Sequence, residues 1–294
     1  MESIRIGVIG GSGVYALDGL KIIEELDIDT PFGKPSDKIL IGELGGRKAA
    51  FLPRHGRGHR YSPSELPQRA NIFALKTLGV EKIISVSAVG SLKEEIRPTD
   101  IVLPSQIIDR TKSRPCTFFS DGIVGHIGFA DPFCEDTRAR TAAIIEKYLS
   151  AEQPAKRLFS CETLIVMEGP QFSTRAESHL YRSWGAGIIG MTALPEAKLA
   201  REAEMCYVTL AMSTDYDCWR GNAEDVGVGM VVENMKENNR TVNTLLPLII
   251  DGLSGERTCG CGDAAKYAVM TDLKAISPEV KKRLAPLYGK YWGN

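Results

Sequence analysis

The chain has 294 residues, 43% hydrophobic and 25% charged, an ordinary globular profile that suits one large α/β domain or two smaller ones. A formal net charge of −1 argues against a nucleic-acid-binding surface, which needs a basic excess, while leaving room for a local anion pocket. The opening Met1-Glu2-Ser3-Ile4-Arg5 has no basic region followed by an apolar run, and no segment reads as a membrane span, so a cytoplasmic protein is expected.

Ile4 to Ile9 predicts a buried strand that runs into Gly10-Gly11-Ser12-Gly13. Two readings of that turn stay open. Glycines let the backbone turn tightly, so amides and the Ser12 hydroxyl can converge on an anion. Gly11-Ser12-Gly13-Val14-Tyr15-Ala16 also fits G-x-G-x-x-G/A, with Leu20 to Leu26 as part of the helix and Asp27 or Asp29 as the acidic residue. That second reading makes the chain an NAD-dependent oxidoreductase, although Leu17-Asp18-Gly19 interrupts the helix it needs.

Ala49 to Pro53 is the next strand, and Arg54 and His55 follow as a fixed cation and a tunable one. Arg57, His59 and Arg60 read as a solvated loop. Leu66 to Leu78 predicts a helix, with Ala70, Ile72, Phe73, Leu75 and Leu78 near helical spacing and Gly79 as its stop. Lys82 to Ala88 is a buried strand, ending in the Ser87 hydroxyl and the Ala88 amide before Val89-Gly90-Ser91. Asp100 to Pro104 and Thr163 to Met167 are further strands, and Ser178 to Trp184 is helical. Gly187 to Gly190 is a short strand ending at Met191-Thr192, and a helix follows from Pro195 to about Ala203.

Met205 to Met212 is a buried strand that delivers Ser213-Thr214-Asp215-Tyr216-Asp217. Two carboxylates at a strand end sit where open α/β sheets bind ligands, and a pair could read a purine edge at N7 and the 6-amino group. An Asx-turn capping the next helix would use the same residues. Val226 to Leu253 reads as helical, in two pieces broken near Asn238-Asn239. Ser254 opens a tail of different character, with Ser277 to Tyr288 as a terminal helix placed to cover a neighbouring subunit. Strands alternating with helices imply an α/β fold: a single domain with a central mixed, mostly parallel sheet flanked by helices. The boundaries are residues 1–253 for the catalytic domain and 254–294 for a partly helical extension.

Polar groups gather at the strand ends. Several hydroxyls, an arginine and a glycine turn together describe a phosphate pocket, although each alone reads as loop capping. Glu168 accepts from a ribose or caps a turn. The seven cysteines show no paired zinc spacing, and Cys259-Gly260-Cys261 is tighter than structural zinc favours. They read as reduced thiols, with redox chemistry at the C-x-C as the alternative, and no metal is expected.

Six ordered blocks resemble the S-methyl-5′-thioadenosine phosphorylases of the trimeric purine nucleoside phosphorylase superfamily. They are Gly10 to Gly13, Pro53 to His59, Ser87 to Leu92, Met167 to Ser178, Gly190 to Thr192, and Thr214 to Trp219. The resemblance implies a purine nucleoside phosphorylase-like fold and phosphorolysis of S-methyl-5′-thioadenosine. Methylthioinosine or general purine nucleosides are the alternative substrates. It implies that Ser12, Arg54, His55, Ser87, Ala88 and Thr192 hold phosphate, and that Asp215 and Asp217 act on the base. Met191 would touch the ribose, Phe172, Ile189 and Ser173 would line the substrate site, and Val228 and Val231 would surround the 5′-methylthio group with His126 from a neighbouring subunit.

The two acids favour adenine, since relatives preferring 6-oxopurines carry asparagine at the first. The resemblance further implies no cofactor beyond phosphate as co-substrate, small-molecule partners only, and a homotrimer or dimer of trimers. Ser12 and Ser87 stand where some relatives have threonine, and Gln171 where others have arginine. Cys134 and Cys206 sit near where hot-adapted relatives place a disulfide, so the two are expected to be close in space.

Overall fold

The computed structural model describes residues 4–11, 13, 17–220 and 228–292, without the side chains of 228–231. Ser12 therefore lies outside the described residues, and so do the side chains of Val228 and Val231. Eleven strands form one sheet among them. Its spine is β4 (Arg47–Pro53), β1 (Ile6–Gly10), β5 (Lys82–Ser91) and β11 (Cys206–Asp215), all mutually parallel. Beyond β4 lie β3 (Ile39–Leu44) and the exposed edge strand β2 (Lys21–Leu26), both in antiparallel pairings. On the other side β10 (Ile188–Gly190) pairs antiparallel with β5, and β9 (Thr163–Met167) and β7 (Gln106–Arg110) continue the sheet in parallel. The short β6 (Ile101–Val102) joins β11, and β8 (Leu158–Phe159) joins β6. The sheet is thus mixed and mostly parallel, as the alternating pattern predicted.

The spine strands are buried on both faces, and the pleat divides their side chains between two cores. Val8, Phe51, Ile84 and Val208 face α2 (Glu135–Glu152) and α5 (Val228–Leu253). Ile9, Leu52, Ile83 and Tyr207 face α1 (Gln68–Thr77), α4 (Ala193–Glu202) and α6 (Pro278–Tyr288). A continuous apolar run reads as a strand of this kind because it needs no polar face.

Two expectations are corrected here. Leu20 to Leu26 is not a dinucleotide-site helix: Lys21–Leu26 is strand β2, paired with β3. The fingerprint loses the helix whose N-terminus would meet a pyrophosphate. Helix α5 is not broken at Asn238-Asn239. The Asn238 amide donates to the Ser213 carbonyl at 2.8 Å and the Asn234 amide to the Thr214 carbonyl at 2.7 Å, so these side chains serve the end of β11 and not a helix stop. Helix α6 packs on its own chain: Leu284, Leu287 and Tyr288 are buried in the core beside α1, and Tyr288 stacks on Phe119 with ring centroids 5.0 Å apart.

Candidate active site

The parallel strands β4, β1, β5 and β11 deliver Arg54, Gly10, Ser87 to Ser91, and Asp215 to one edge of the sheet. Helix α5 closes the opening with Asn238, Val242 and Leu246, and the result is a cavity of about 810 Å³. That volume suits a nucleoside-sized ligand with room beside it.

One end is cationic and hydroxylic. Arg54 is almost wholly buried, and it is held by a buried acid: its Nε donates to Glu196 Oε2 at 3.0 Å and its Nη2 to Glu196 Oε1 at 3.3 Å. Nη2 also donates to Ser85 Oγ at 2.7 Å, and Nη1 to the Val86 carbonyl at 3.0 Å. Ser85 Oγ and the Tyr207 hydroxyl donate to the same Glu196 oxygen at 2.6 and 2.8 Å. Burying an arginine and a glutamate is tolerable only because each is paired and hydrogen-bonded. The second Nη1 hydrogen has no acceptor among the described residues and remains for an anion.

Antiparallel pairing of β10 with β5 brings Thr192 to Ser87, and the two hydroxyl oxygens lie 3.1 Å apart. Thr192 stands at the N-cap of α4 without capping it, so its hydroxyl is not consumed by the helix. His55 Nδ1 lies 2.8 Å from the Tyr61 carbonyl and must donate to it, while its ring stacks on His59 at 4.2 Å. Burial, against that carbonyl bond, pushes the His55 imidazole down to about 4, with the Arg54 charge adding to it. His55 is therefore neutral at pH 7, with a lone pair on Nε2, and the tunable cation read from the sequence is not charged here. Ala88, Met191 and the glycines Gly10, Gly11 and Gly13 line the same cavity.

The other end is acidic. Asp215 Oδ2 accepts from the Thr214 hydroxyl at 2.7 Å and Oδ1 from the Asp217 amide at 2.8 Å. Asp217 adopts a left-handed backbone (φ 49°), which folds its amide back onto Asp215. So the Asx-type turn is real, and the pair still faces the cavity. Burial pushes both carboxyls above the usual range; for Asp217 it does so against the Ser178 side chain and the Cys218 backbone, and the neighbouring Asp215 charge adds to it. Asp217 Oδ2 is buried and has no hydrogen-bond partner among the described residues. Gly90 makes the space: a Cβ there would sit 3.0 Å from Asp215 Oδ1 and 3.1 Å from Ile189 Cγ2. Ser87 and Gly90 are three residues apart on β5, so roughly 10 Å separates the two ends, the length of a nucleoside.

Phe172, half exposed, and buried Ile189 line the cavity. Ser173 does not. Its hydroxyl turns to Met167 Sδ at 3.6 Å, and its carbonyl accepts from the Cys218 thiol. His126 is exposed beside the tail, its amide bonded to Ala268, and it lies outside the cavity of its own chain. Glu168 serves structure: it accepts from the Ser64 hydroxyl, the Lys112 amide and Arg114 Nε.

Three contributors were not read from the sequence. Glu196 had a signal, a lone acid among the apolar Ala193, Leu194, Pro195 and Ala197. Arg114 had none: its Nη1 donates to the Met191 and Leu194 carbonyls at 2.6 Å each, and those partners lie far along the chain. Gly90 was seen only as part of a strand end.

The phosphorylase superfamily model matches residues 5–251. The chain belongs to the phosphorylase superfamily. Two superfamily relatives are S-methyl-5′-thioadenosine phosphorylases. The one from Geobacter sulfurreducens is 49% identical over 99% of this chain and 100% of its own length. The one from Chloroflexus aurantiacus is 51% identical over 99% and 100%. Among solved superfamily structures, a methylthioadenosine phosphorylase from an antarctic soil metagenomic library superposes with a TM-score of 0.89 at 45% identity, covering 98% of this chain and 99% of that one. The Schistosoma mansoni methylthioadenosine phosphorylase in complex with adenine gives 0.82 at 35%, covering 90% and 96%.

Proposed function

We propose that this chain catalyses the phosphorolysis of S-methyl-5′-thioadenosine, giving adenine and 5-methylthioribose 1-phosphate. The observation that carries the reading is the buried acid pair, with one carboxylate oxygen unpartnered, facing a cavity whose far end is Arg54, Ser87 and Thr192. A 6-aminopurine suits that pair: its amino N–H can be accepted by the Asp217 carboxylate, and its basic N7 can take a hydrogen bond from a protonated Asp215. Relatives that carry the activity in their names at about half identity over the full length support it.

In this reading phosphate is the co-substrate and is held by Ser12, Arg54, His55, Ser87, Ala88 and Thr192. Its oxygen forms a bond to C1′ as the C1′–N9 bond breaks. The electron pair departs with adenine, and Asp215 delivers its proton to N7. Neutral His55 accepts from a phosphate hydroxyl through Nε2. Glu196 touches no substrate; it orients Arg54, so positioning is bought before the reaction begins. Met191 sits against the ribose, and Phe172 and Ile189 flank the base. Val228, Val231 and the partner subunit's His126 enclose the methylthio group, where an apolar wall disfavours a charged 5′-phosphate.

The same reading takes residues 1–253 as the catalytic domain and 254–294 as its extension, in a cytoplasmic homotrimer or dimer of trimers serving purine and methionine salvage. Half-exposed Phe172 and Met235 at the cavity support a neighbouring copy there. No helix among the described residues is long and apolar enough to cross a membrane.

Base release from methylthioadenosine, adenosine and methylthioinosine, each with and without phosphate, tests the reaction. Phosphate-dependent release, fastest with methylthioadenosine, is expected. Release that ignores phosphate would make the enzyme a hydrolase, and preference for methylthioinosine would overturn the base assignment.

A further inference from the structure

Four cysteines from three separate stretches of the chain meet where the tail reaches the sheet. Cys134 is the N-cap residue of α2, Cys206 opens β11, and Cys259 and Cys261 flank and enter the short 3-10 turn Gly260–Asp263. Their four sulfurs all lie within 4.8 Å of one another, and the sulfurs of Cys206 and Cys259 are 3.3 Å apart. The pairing of Cys134 with Cys206 expected from the sequence is therefore half of a larger cluster. All four are free thiols; three are buried and Cys259 is half-buried.

Four thiolates around one zinc ion at about 2.3 Å place their sulfurs roughly 3.8 Å apart on a tetrahedron, and the observed cluster has that size. Its surroundings suit the negative charge that four thiolates leave on a divalent ion. The Thr137 hydroxyl donates to Cys134 Sγ at 3.2 Å, and Arg201 Nη1 lies 3.9 Å from Cys261 Sγ. Such outer partners orient and neutralise metal-bound sulfur. C-x-C alone is poor zinc spacing, but here it supplies only two ligands, and strand and helix starts supply the others.

We propose that Cys134, Cys206, Cys259 and Cys261 form a closed structural site for one thiophilic divalent cation, zinc in the first instance. Binding exchanges four S–H bonds for four metal–sulfur bonds and releases four protons, with no change of oxidation state. Four protein ligands leave no open position for substrate, so the role is mechanical. The site ties the tail to the start of β11, whose opposite end carries Asp215, roughly 30 Å away along the strand.

The test uses the full chain, produced in zinc-containing medium and purified without chelator. Elemental analysis is expected to find about one zinc per chain. Cys261→Ser and Cys134→Ser are expected to lose it, and Cys116→Ser to keep it. In case those variants do not fold, the apo wild-type chain is titrated with cobalt(II), expected to give the charge-transfer and ligand-field bands of a tetrahedral four-thiolate complex. Absence of that spectrum overturns the site, as does zinc retained in Cys261→Ser. So does a metal-free chain that shows only Cys116, Cys161 and Cys218 as reactive thiols until reductant is added, because the four are then disulfides.

Discussion

Asp215 and Asp217 are both buried carboxylates, yet their partners divide the labour. Asp215 accepts from the Thr214 hydroxyl and the Asp217 amide, bonds that favour its ionised form, so it is burial that holds its proton, while Asp217 Oδ2 has no hydrogen-bond partner among the described residues. We expect Asp215→Asn to cut kcat/KM for adenosine by about 100-fold or more, the scale of a lost general acid, and for inosine far less. Equal losses for the two nucleosides would count against base reading. Burial raises the Asp215 pKa, and in the proposed mechanism the protonated form is the active one. Wild-type kcat/KM for adenosine should therefore fall as pH rises through that raised value, and the Asn variant should lack this limb. Gly90→Ala would push a methyl against Asp215 Oδ1 and Ile189, so we expect a higher KM for the nucleoside with phosphate KM little changed. At this scale the sequence revealed residues whose chemistry is unusual where they stand: paired acids, an Arg-His step, hydroxyls at strand ends. It hid Gly90, because what matters there is an absent atom facing another strand. It misplaced Ser173, whose hydroxyl is turned away by a neighbour no spacing rule names.

Elements were legible wherever apolar residues fill both faces of a strand, as in β1, β5, β9 and β11. They were not legible where one face meets solvent or the run is short. Strand β2 is almost wholly exposed, and its Lys21-Ile22-Ile23-Glu24 pattern passed for a helix. Helix α3 (Arg175–Ser183) starts three residues earlier than its apolar pattern suggested, because Thr174 and Glu177 form a capping box. The junction of β10 and α4 depends on Arg114, whose guanidinium gathers the Met191, Leu194, Met167 and Glu168 carbonyls. Arg114→Met would leave those carbonyls without this donor, while the Glu168 carboxylate would keep Ser64 and the Lys112 amide. A loss of roughly 1–3 kcal/mol is expected from leaving buried acceptors without a donor. Arg114→Lys keeps the charge but not the fork, so it should fold with a lowered Tm and a phosphate KM raised about tenfold, since Thr192 follows the carbonyl that Arg114 holds. A normal phosphate KM in Arg114→Lys would show that the junction does not depend on this side chain.

The tail is part of the same folded body as the sheet, and no local pattern announced it. Buried Lys82 at the start of β5 donates to the carbonyls of Leu253 and Gly255, and Tyr288 packs on Phe119. These contacts join residues far apart in sequence, which periodicity cannot see. Glu202, at the end of α4, lies at this junction. It accepts from the Thr117 hydroxyl at 2.8 Å and the Phe118 amide at 2.7 Å, immediately before Phe119. Burial outweighs those two bonds and pushes Glu202 from its ordinary 4.5 up to about 7. The folded chain therefore holds this proton more tightly than the unfolded chain does. Its contribution to stability is fully present below the ordinary value and is lost as pH rises through about 7. At about 1.4 kcal/mol per unit of pKa, the loss amounts to a few kcal/mol. Glu202→Gln keeps an acceptor for the Phe118 amide and cannot ionise. Urea unfolding of both proteins should show the wild type losing stability relative to Glu202→Gln between about pH 5 and about pH 8. A difference that stays constant over that range would mean that Glu202 is already ionised in the folded protein and that burial does not govern it.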